Sequence, residues 1–279
     1  MDAPLDDYVQ FLLRAGVPVD GFAGLTREPD HDEALIPPAA TSPRTLAFDH
    51  DLKVVEHLDV GAGLGADHAT RSVARAILHN ESTLRGAGAD IGCGTGLLAV
   101  LLAKLGASPV VGTDVDEQAL VLAHQTALAN RVDLDLRLGS LCEPLPPMER
   151  FEVCVANLPH KPALAGDPLP IAQHGGPEGD GLFAQAIPCL FQRQAPGARF
   201  YFFLHSLPHP RLLALVARHY AIRPVSWKLR YFGLEEYPQM RESFRKRHRD
   251  ATSFIATVGE REALVACIWR GVRRVEPLP

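Results

Sequence analysis

Gly92, Gly94 and Gly96 alternate with Cys93 and Thr95 directly after Asp90, and an apolar run begins at Leu97. A glycine turn between a strand and a helix lets a ligand approach the free backbone amides at the helix start. The spacing is G-x-G-x-G, so Leu97 stands where a dinucleotide fingerprint has its third glycine. Asp114 closes the next apolar stretch, where a carboxylate can accept hydrogen bonds from two ribose hydroxyls. A second group is Asn157-Leu158-Pro159-His160, which ends the apolar stretch 151–156. Pro159 has no N–H and fixes its own φ, so the turn is stiff. A strand-end Asn beside it directs oxygen acceptors at one point and can hold an N–H group. His160 has two readings, a base that removes a proton and a ring that fills space.

These residues need a scaffold, and the pattern around them supplies one. A short strand ends at Asp90, and the helix GLLAVLLAKLG follows the glycine turn. Then come strand PVVGT with Asp114, helix EQALVLAHQTALAN, strand LDLRL, a proline-rich loop and strand FEVCVAN. Helix GLFAQAIPCLFQR, strand ARFYFFLHSL, helix PRLLALVARHY and strands PVSWKLRYF and ALVACIWRGV complete the chain. Strands alternating with helices imply a parallel sheet with crossover connections. The expected fold is α/β: a Rossmann-like, doubly wound, mostly parallel seven-stranded sheet, with the last two strands as an antiparallel edge. Residues 4–15 read as a short amphipathic helix closed by Gly16, followed by a polar, Pro-rich connection. The expected division is an N-terminal cap over 1–50 and a main domain over 51–279, with 233–262 as a candidate lid.

Other features carry less. Val60-Gly61-Ala62-Gly63-Leu64-Gly65-Ala66 nominally fits G-x-G-x-x-A, with Glu81 as the acid further on. Glu81 lies in NESTLRG, which does not read as a strand end, and no βαβ unit surrounds this turn, so nicotinamide binding is rejected there. Arg241, Arg245, Lys246, Arg247 and Arg249 cluster near the C-terminus and read first as a solvated helix face. The sharper reading is a lid that recruits an acidic substrate. His205 and His209 have H-x-x-x-H spacing, but Pro208 and Pro210 interrupt it, so both read as loop residues and no metal is expected.

The segment 88–132 closely resembles the cofactor half of the class I methyltransferases, especially bacterial ribosomal-protein lysine methyltransferases. Those enzymes carry a Gly-rich segment with His and Thr before the cofactor loop. GAGLGADHATRSVARAIL resembles it, with His68 and Thr70 at the matching positions and Ala69 where that family usually has Thr. The resemblance implies that this segment folds over the methionine end of S-adenosyl-L-methionine. Thr70 as an ordinary helix cap is the other reading. Asn157-Leu158-Pro159-His160 resembles the Asn-Pro-Pro-Tyr tetrad of enzymes that methylate planar nitrogens, with Leu158 and His160 as departures. In those enzymes the Asn side chain and a backbone carbonyl accept the substrate N–H bonds. Gly175-Gly176-Pro177-Glu178-Gly179-Asp180-Gly181-Leu182 resembles a run in the glutamine-modifying members, and Asp180 alternatively caps the next helix.

The resemblance covers about residues 57–204. It implies a cofactor site of Asp90, Gly92, Gly94, Gly96, Asp114, Val115, Ser140, Leu141, Asn157, His68 and Thr70. Asn157, Pro159 and His160 are the catalytic candidates. The expected activity is N-methylation of a protein, peptide or small molecule. The alternatives are an RNA acceptor and a non-catalytic cofactor-binding protein.

Composition narrows the classes. The chain has 279 residues, 47% of them hydrophobic, enough for a substantial core. A net charge of −5 removes the overall polycation expected for electrostatic binding to nucleic acid or anionic lipid. The N-terminus lacks a signal pattern and the apolar runs are too short to span a bilayer, so no membrane partner is expected. Five scattered cysteines with no C-x-x-C pair indicate neither a zinc site nor a disulfide framework. Cytoplasmic localisation is the corresponding expectation.

Overall fold

The computed structural model describes residues 2–18, 20–32, 42–48, 52–59, 64–167, 169, 173–231 and 238–278. In chain order these hold α1 (Ala3–Arg14), β1 (Thr26–Arg27), β2 (His31–Asp32), β3 (Arg44–Ala47), β4 (Lys53–Glu56), α2 (His68–Asn80), β5 (Gly88–Ile91), α3 (Leu97–Lys104), β6 (Val110–Asp114) and α4 (Glu117–Asn130). Then follow β7 (Asp135–Leu138), β8 (Phe151–Ala156), α5 (Gly181–Gln192), β9 (Gln194–His205), α6 (Arg211–His219), β10 (Tyr220–Tyr231), α7 (Pro238–Arg249), β11 (Ala256–Val258) and β12 (Arg261–Arg273). The chain divides into two compact units. One is Pro37–Asn157 with Cys189–Phe202; the other is Met1–Ile36 with Leu158–Pro188 and Phe203–Pro279. The boundary expected near residue 50 falls inside the first.

The first unit is built on parallel strands in the order β9-β8-β5-β6-β7. Parallel neighbours need crossovers, and α3 and α4 supply them on the β5-β6-β7 side. This is the Rossmann-like, mostly parallel arrangement the alternating pattern implies. Leu97 to Leu102 of α3 are all buried, as fits a helix that is apolar on every side. Chain order reverses between β5 and β8, which makes their carboxyl ends the crevice where such sheets bind ligands. A small antiparallel hairpin, β3 with β4, also belongs to this unit. On β9, Tyr201 donates to Glu81 at 2.6 Å and Arg199 at 3.0 Å. Glu81 is therefore spent on a buried structural cluster, and residues 60–63 of the rejected fingerprint lie outside the described residues.

In the second unit β10 and β12 pair antiparallel, the arrangement expected for the last two strands. Both are longer than expected, and β10 carries a register shift between Pro224 and Ser226, the kind of irregularity at which a strand tolerates proline. The leader contributes two short strands, β1 and β2, both parallel to β10. Helix α1 buries Leu5, Tyr8, Phe11 and Leu12, and the rings of Tyr8 and Phe11 lie 5.5 and 5.6 Å from that of Phe254.

Helix α7 carries the basic cluster, and its four arginines are ion-paired. Arg241 and Arg245 both bind Glu262 of β12, Arg247 binds Glu178, and Arg249 binds Glu242. Met240 and Phe244, one helical turn apart, join Leu207, Ile255 and Leu264 in a buried cluster. The solvated face read from the sequence is present at Lys246 and Arg249, while Arg241, Arg245 and Arg247 tie the helix to neighbouring acids. The cysteine reading is corrected. Cys142, just after β7, is bonded to Cys189 of α5, with Cα atoms 6.4 Å apart and 47 residues between them. Only the fold brings that pair together.

Replacing Tyr201 with Phe should remove one donor from the buried Glu81 carboxylate and lower the unfolding free energy by about 1–3 kcal/mol. Urea denaturation reads this directly, and an unchanged midpoint would contradict the assigned role.

Candidate active site

The glycine loop leaves β5 and turns back under strand β6. The amides of Gly92 and Cys93 both donate to the Thr113 carbonyl, at 2.8 and 2.9 Å, and Gly96 donates to the Cys93 carbonyl at 2.9 Å. Gly96 is required twice over. Its φ is +77°, and a Cβ there would stand 2.9 Å from the Ala123 Cβ of α4. Gly94 is the opposite case. Its φ is +53°, and a Cβ there would meet nothing within 4 Å. The loop therefore keeps one open side, against which a ligand can lie on backbone.

Asp114 stands beside that open side. Its Oδ2 accepts the Gly94 amide at 2.8 Å and its Oδ1 the Asp116 amide at 3.0 Å. A carboxylate oxygen has two lone pairs, so each retains capacity for a ligand hydroxyl. Val115, directly after it, is 69% exposed and offers an apolar surface beside the acid. The next turn is tied in by the Thr113 hydroxyl, which donates to the Leu141 carbonyl at 2.8 Å. Leu141 has φ +49°, and Ser140 donates its amide to Glu143 at 3.2 Å.

Asp90 is buried under the loop, where its Oδ2 accepts the Ala99 amide at 3.0 Å. Burial pushes its carboxyl up to about 7; the Ala99 hydrogen bond opposes this and the Asp114 charge adds to it.

Across the switch point, at the end of β8, the Asn157 amide nitrogen donates to the Thr70 hydroxyl at 3.0 Å. Thr70 in turn donates to Asp67 Oδ1 at 2.9 Å. Because that hydroxyl spends its proton on Asp67, it can only accept from Asn157, and the Asn157 amide is oriented with its oxygen directed elsewhere. Thr70 is not the cap of α2. Asp67 is, accepting the Thr70 amide at 2.8 Å. His68 opens the same helix.

Leu158, Pro159 and His160 lie in the second unit. His160 is buried, its Nδ1 donates to the Leu158 carbonyl at 2.6 Å, and its Nε2 accepts the His205 amide at 3.3 Å. Its ring stands 4.2 Å from that of His205 and 5.5 Å from that of Phe203. The glycine run packs on its backbone. A Cβ at Gly175 would fall 2.6 Å from the His160 Cα, and one at Gly179 would fall 2.7 Å from the His160 carbonyl oxygen. The two motifs that read separately in the sequence thus form one packed structure. Asp180 takes the Arg211 guanidinium.

Sequence reasoning missed Glu56 and Asp67. Glu56 is fully buried and reaches the cofactor-loop residue Thr95. Its only trace in the sequence is an acid directly after two valines in the run KVVEHLDV.

This strand order and this glycine loop are similar in fold to those of the class I, S-adenosylmethionine-dependent methyltransferases. A solved structure described as T. thermophilus 16S rRNA N2 G1207 methyltransferase in complex with AdoMet and guanosine superposes with a TM-score of 0.51. It covers 85% of this chain and 52% of the other at 19% identity. Within the class, residues 32–164 match the family model for ribosomal protein L11 methyltransferase (PrmA). The enzymes of that name from Burkholderia multivorans and Burkholderia orbicola are 37% and 36% identical over 117 residues, 42% of this chain. The matched region spans 37% of the length of those relatives.

An Asp titrates near about 4 in an unfolded chain. Between about pH 4 and about 7 the folded protein keeps a proton on Asp90 that the unfolded chain has released, so this residue's contribution to stability falls as pH rises through that window. Asp90→Asn retains an oxygen for the Ala99 amide and should flatten that part of the stability profile. Denaturation midpoints at about pH 5 and about pH 7.5 check it; an unaltered difference between them would contradict the shift.

Proposed function

We propose that the chain binds S-adenosyl-L-methionine at the carboxyl ends of β5 and β6 and methylates a nitrogen atom of a protein or peptide. The cofactor fits the residues present. Gly94 leaves backbone open, Asp114 keeps lone pairs for ribose hydroxyls, and Val115 offers an apolar face for a planar base. Gly92, Gly96 and Asp90 fix the loop, Ser140 and Leu141 border it, and His68 and Thr70 lie on the Asn157 side. When bound, the cofactor supplies an electrophilic methyl group on a sulfonium, open to in-line displacement.

The oriented amide of Asn157 carries the reading. Its oxygen accepts an N–H of the acceptor and turns the nitrogen lone pair toward the methyl group. That is orientation, and orientation supplies up to roughly 7–11 kcal/mol of barrier lowering. Pro159 keeps the following turn stiff. His160 acts by packing: both ring nitrogens hold backbone groups, so proton removal there would break the turn it supports. The acceptor therefore arrives with its lone pair already free. A protein acceptor is favoured over RNA because the relatives matched across the cofactor region are named for a ribosomal protein.

The test is incubation of the chain with radiolabelled cofactor and ribosome-free and ribosome-containing extract, followed by separation of protein, RNA and small molecules. Label in the protein fraction is expected; label confined to RNA, or none, overturns the reading. Asn157→Ala should lose most turnover while binding S-adenosylmethionine within about tenfold of the parent. Normal turnover in that variant would leave the residue a mere strand terminus. His160→Phe should lower stability yet keep the shape of the pH–rate profile, whereas activity lost at neutral pH and restored at higher pH would make the imidazole a base.

A further inference from the structure

Outside the residues assigned to the cofactor, one buried acid has an unusual set of partners. Glu56, at the end of β4, is fully buried. Its Oε1 accepts the Thr95 hydroxyl at 2.5 Å and the Ala66 amide at 2.6 Å, and its Oε2 accepts Arg44 Nε at 2.7 Å. Arg44 then donates to the Ala66 carbonyl at 2.6 Å. The ion pair thus grips the Ala66 residue by both its N–H and its C=O. Ala66 immediately precedes Asp67, the cap on which Thr70 and through it Asn157 are oriented. Thr95 stands between Gly94 and Gly96. One carboxylate therefore joins the cofactor loop to the segment leading into α2.

The hairpin that carries Glu56 is itself anchored. Asn130 of α4 receives the Val55 amide at 3.0 Å and donates to the Val55 carbonyl at 2.6 Å, standing in for a neighbouring strand. The Thr126 hydroxyl accepts the His57 amide at 3.0 Å. With β4 fixed on α4, the Glu56 side chain has one place to point. A buried carboxylate persists only where donors surround it, and here all three are supplied.

We infer that Glu56 is a positioning residue for the methyl donor: through Thr95 it sets the conformation of the glycine loop, and through Ala66 the placement of the α2 start. This rests on the cofactor reading above. A glutamine would turn an N–H₂ group or a single oxygen toward three donors and cannot satisfy them together. The loop would then have to be ordered by the ligand, and ordering lowers apparent affinity.

The experiment is calorimetric titration of S-adenosylhomocysteine into the whole chain and into Glu56→Gln, Thr95→Val, Thr95→Ser and the Glu56→Gln/Thr95→Val pair. Glu56→Gln and Thr95→Val should each weaken binding about tenfold, and the double variant should be no weaker than the worse single one, because both remove one coupling. Thr95→Ser keeps the hydroxyl and should bind like the parent. Thr95→Val differs from the parent by one oxygen, so it decides the question if Glu56→Gln does not fold. Equal affinity in Thr95→Val and the parent overturns the inference, as do additive losses in the double variant. Failure of the unmodified chain to bind overturns the cofactor reading and this inference with it.

Discussion

The hydrogen bond from the Gly94 amide to the Asp114 carboxylate joins the two structures that a nucleoside ligand needs at once, the glycine loop after β5 and the acid at the end of β6. The three left-handed glycines of this loop contribute no side chains to hold its shape, and Thr95 between two of them is the residue whose side chain is tied down. The loop is held by what it can donate. Thr113 receives two amides, Asp114 a third, and Asp90 the amide of Ala99 in the first turn of α3. The sheet register sets the distances. Asp90 pairs with Gly112 and Ile91 with Thr113, so Asp114 stands two residues beyond Asp90's partner, level with the start of the glycine loop. Gly112 has no side chain, and a Cβ there would meet Cys93 Sγ at 3.1 Å. Backbone geometry and glycine placement together decide where the ligand-facing amides point.

Parts of this were legible because they are local. Helix α4 has the limits read from the sequence, since Asp116 caps it and the apolar spacing runs to Asn130. The parallel strands were legible from short apolar runs broken by turns. What stayed hidden depends on contacts distant in the chain. Glu56 reads as a stray charge because its partners lie 10, 12 and 39 residues away. Cys142 and Cys189 read as unrelated for the same reason. The basic cluster read as solvent-facing because Glu262 and Glu178, which bind it, lie in other elements. Asp67 and Thr70 both suit the cap of α2 by composition, and the start of the helix at His68 assigns it to Asp67.

The tetrad after β8 departs from the Asn-Pro-Pro-Tyr pattern at Leu158 and His160. His160 stands where the resembling enzymes place Tyr. Its two nitrogens hold the Leu158 carbonyl and the His205 amide, while the ring packs on Phe203 and Phe183. A tyrosine could provide the ring but not both backbone contacts. The glycines at 175 and 179 approach the His160 backbone so closely that no side chain fits. Two segments some fifteen residues apart in the sequence are thereby one packed turn, and Asn157 precedes it directly.

In the proposed function, Asp114 and the glycine loop bind S-adenosylmethionine. Calorimetry on the parent chain and on folded Asp114→Ala tests it most directly. The variant loses both the ribose acceptors and the Gly94 anchor, so its affinity for S-adenosylmethionine should fall at least about tenfold, with NAD binding to neither protein. Equal affinity in the two proteins, or tighter binding of NAD than of S-adenosylmethionine, would contradict the account.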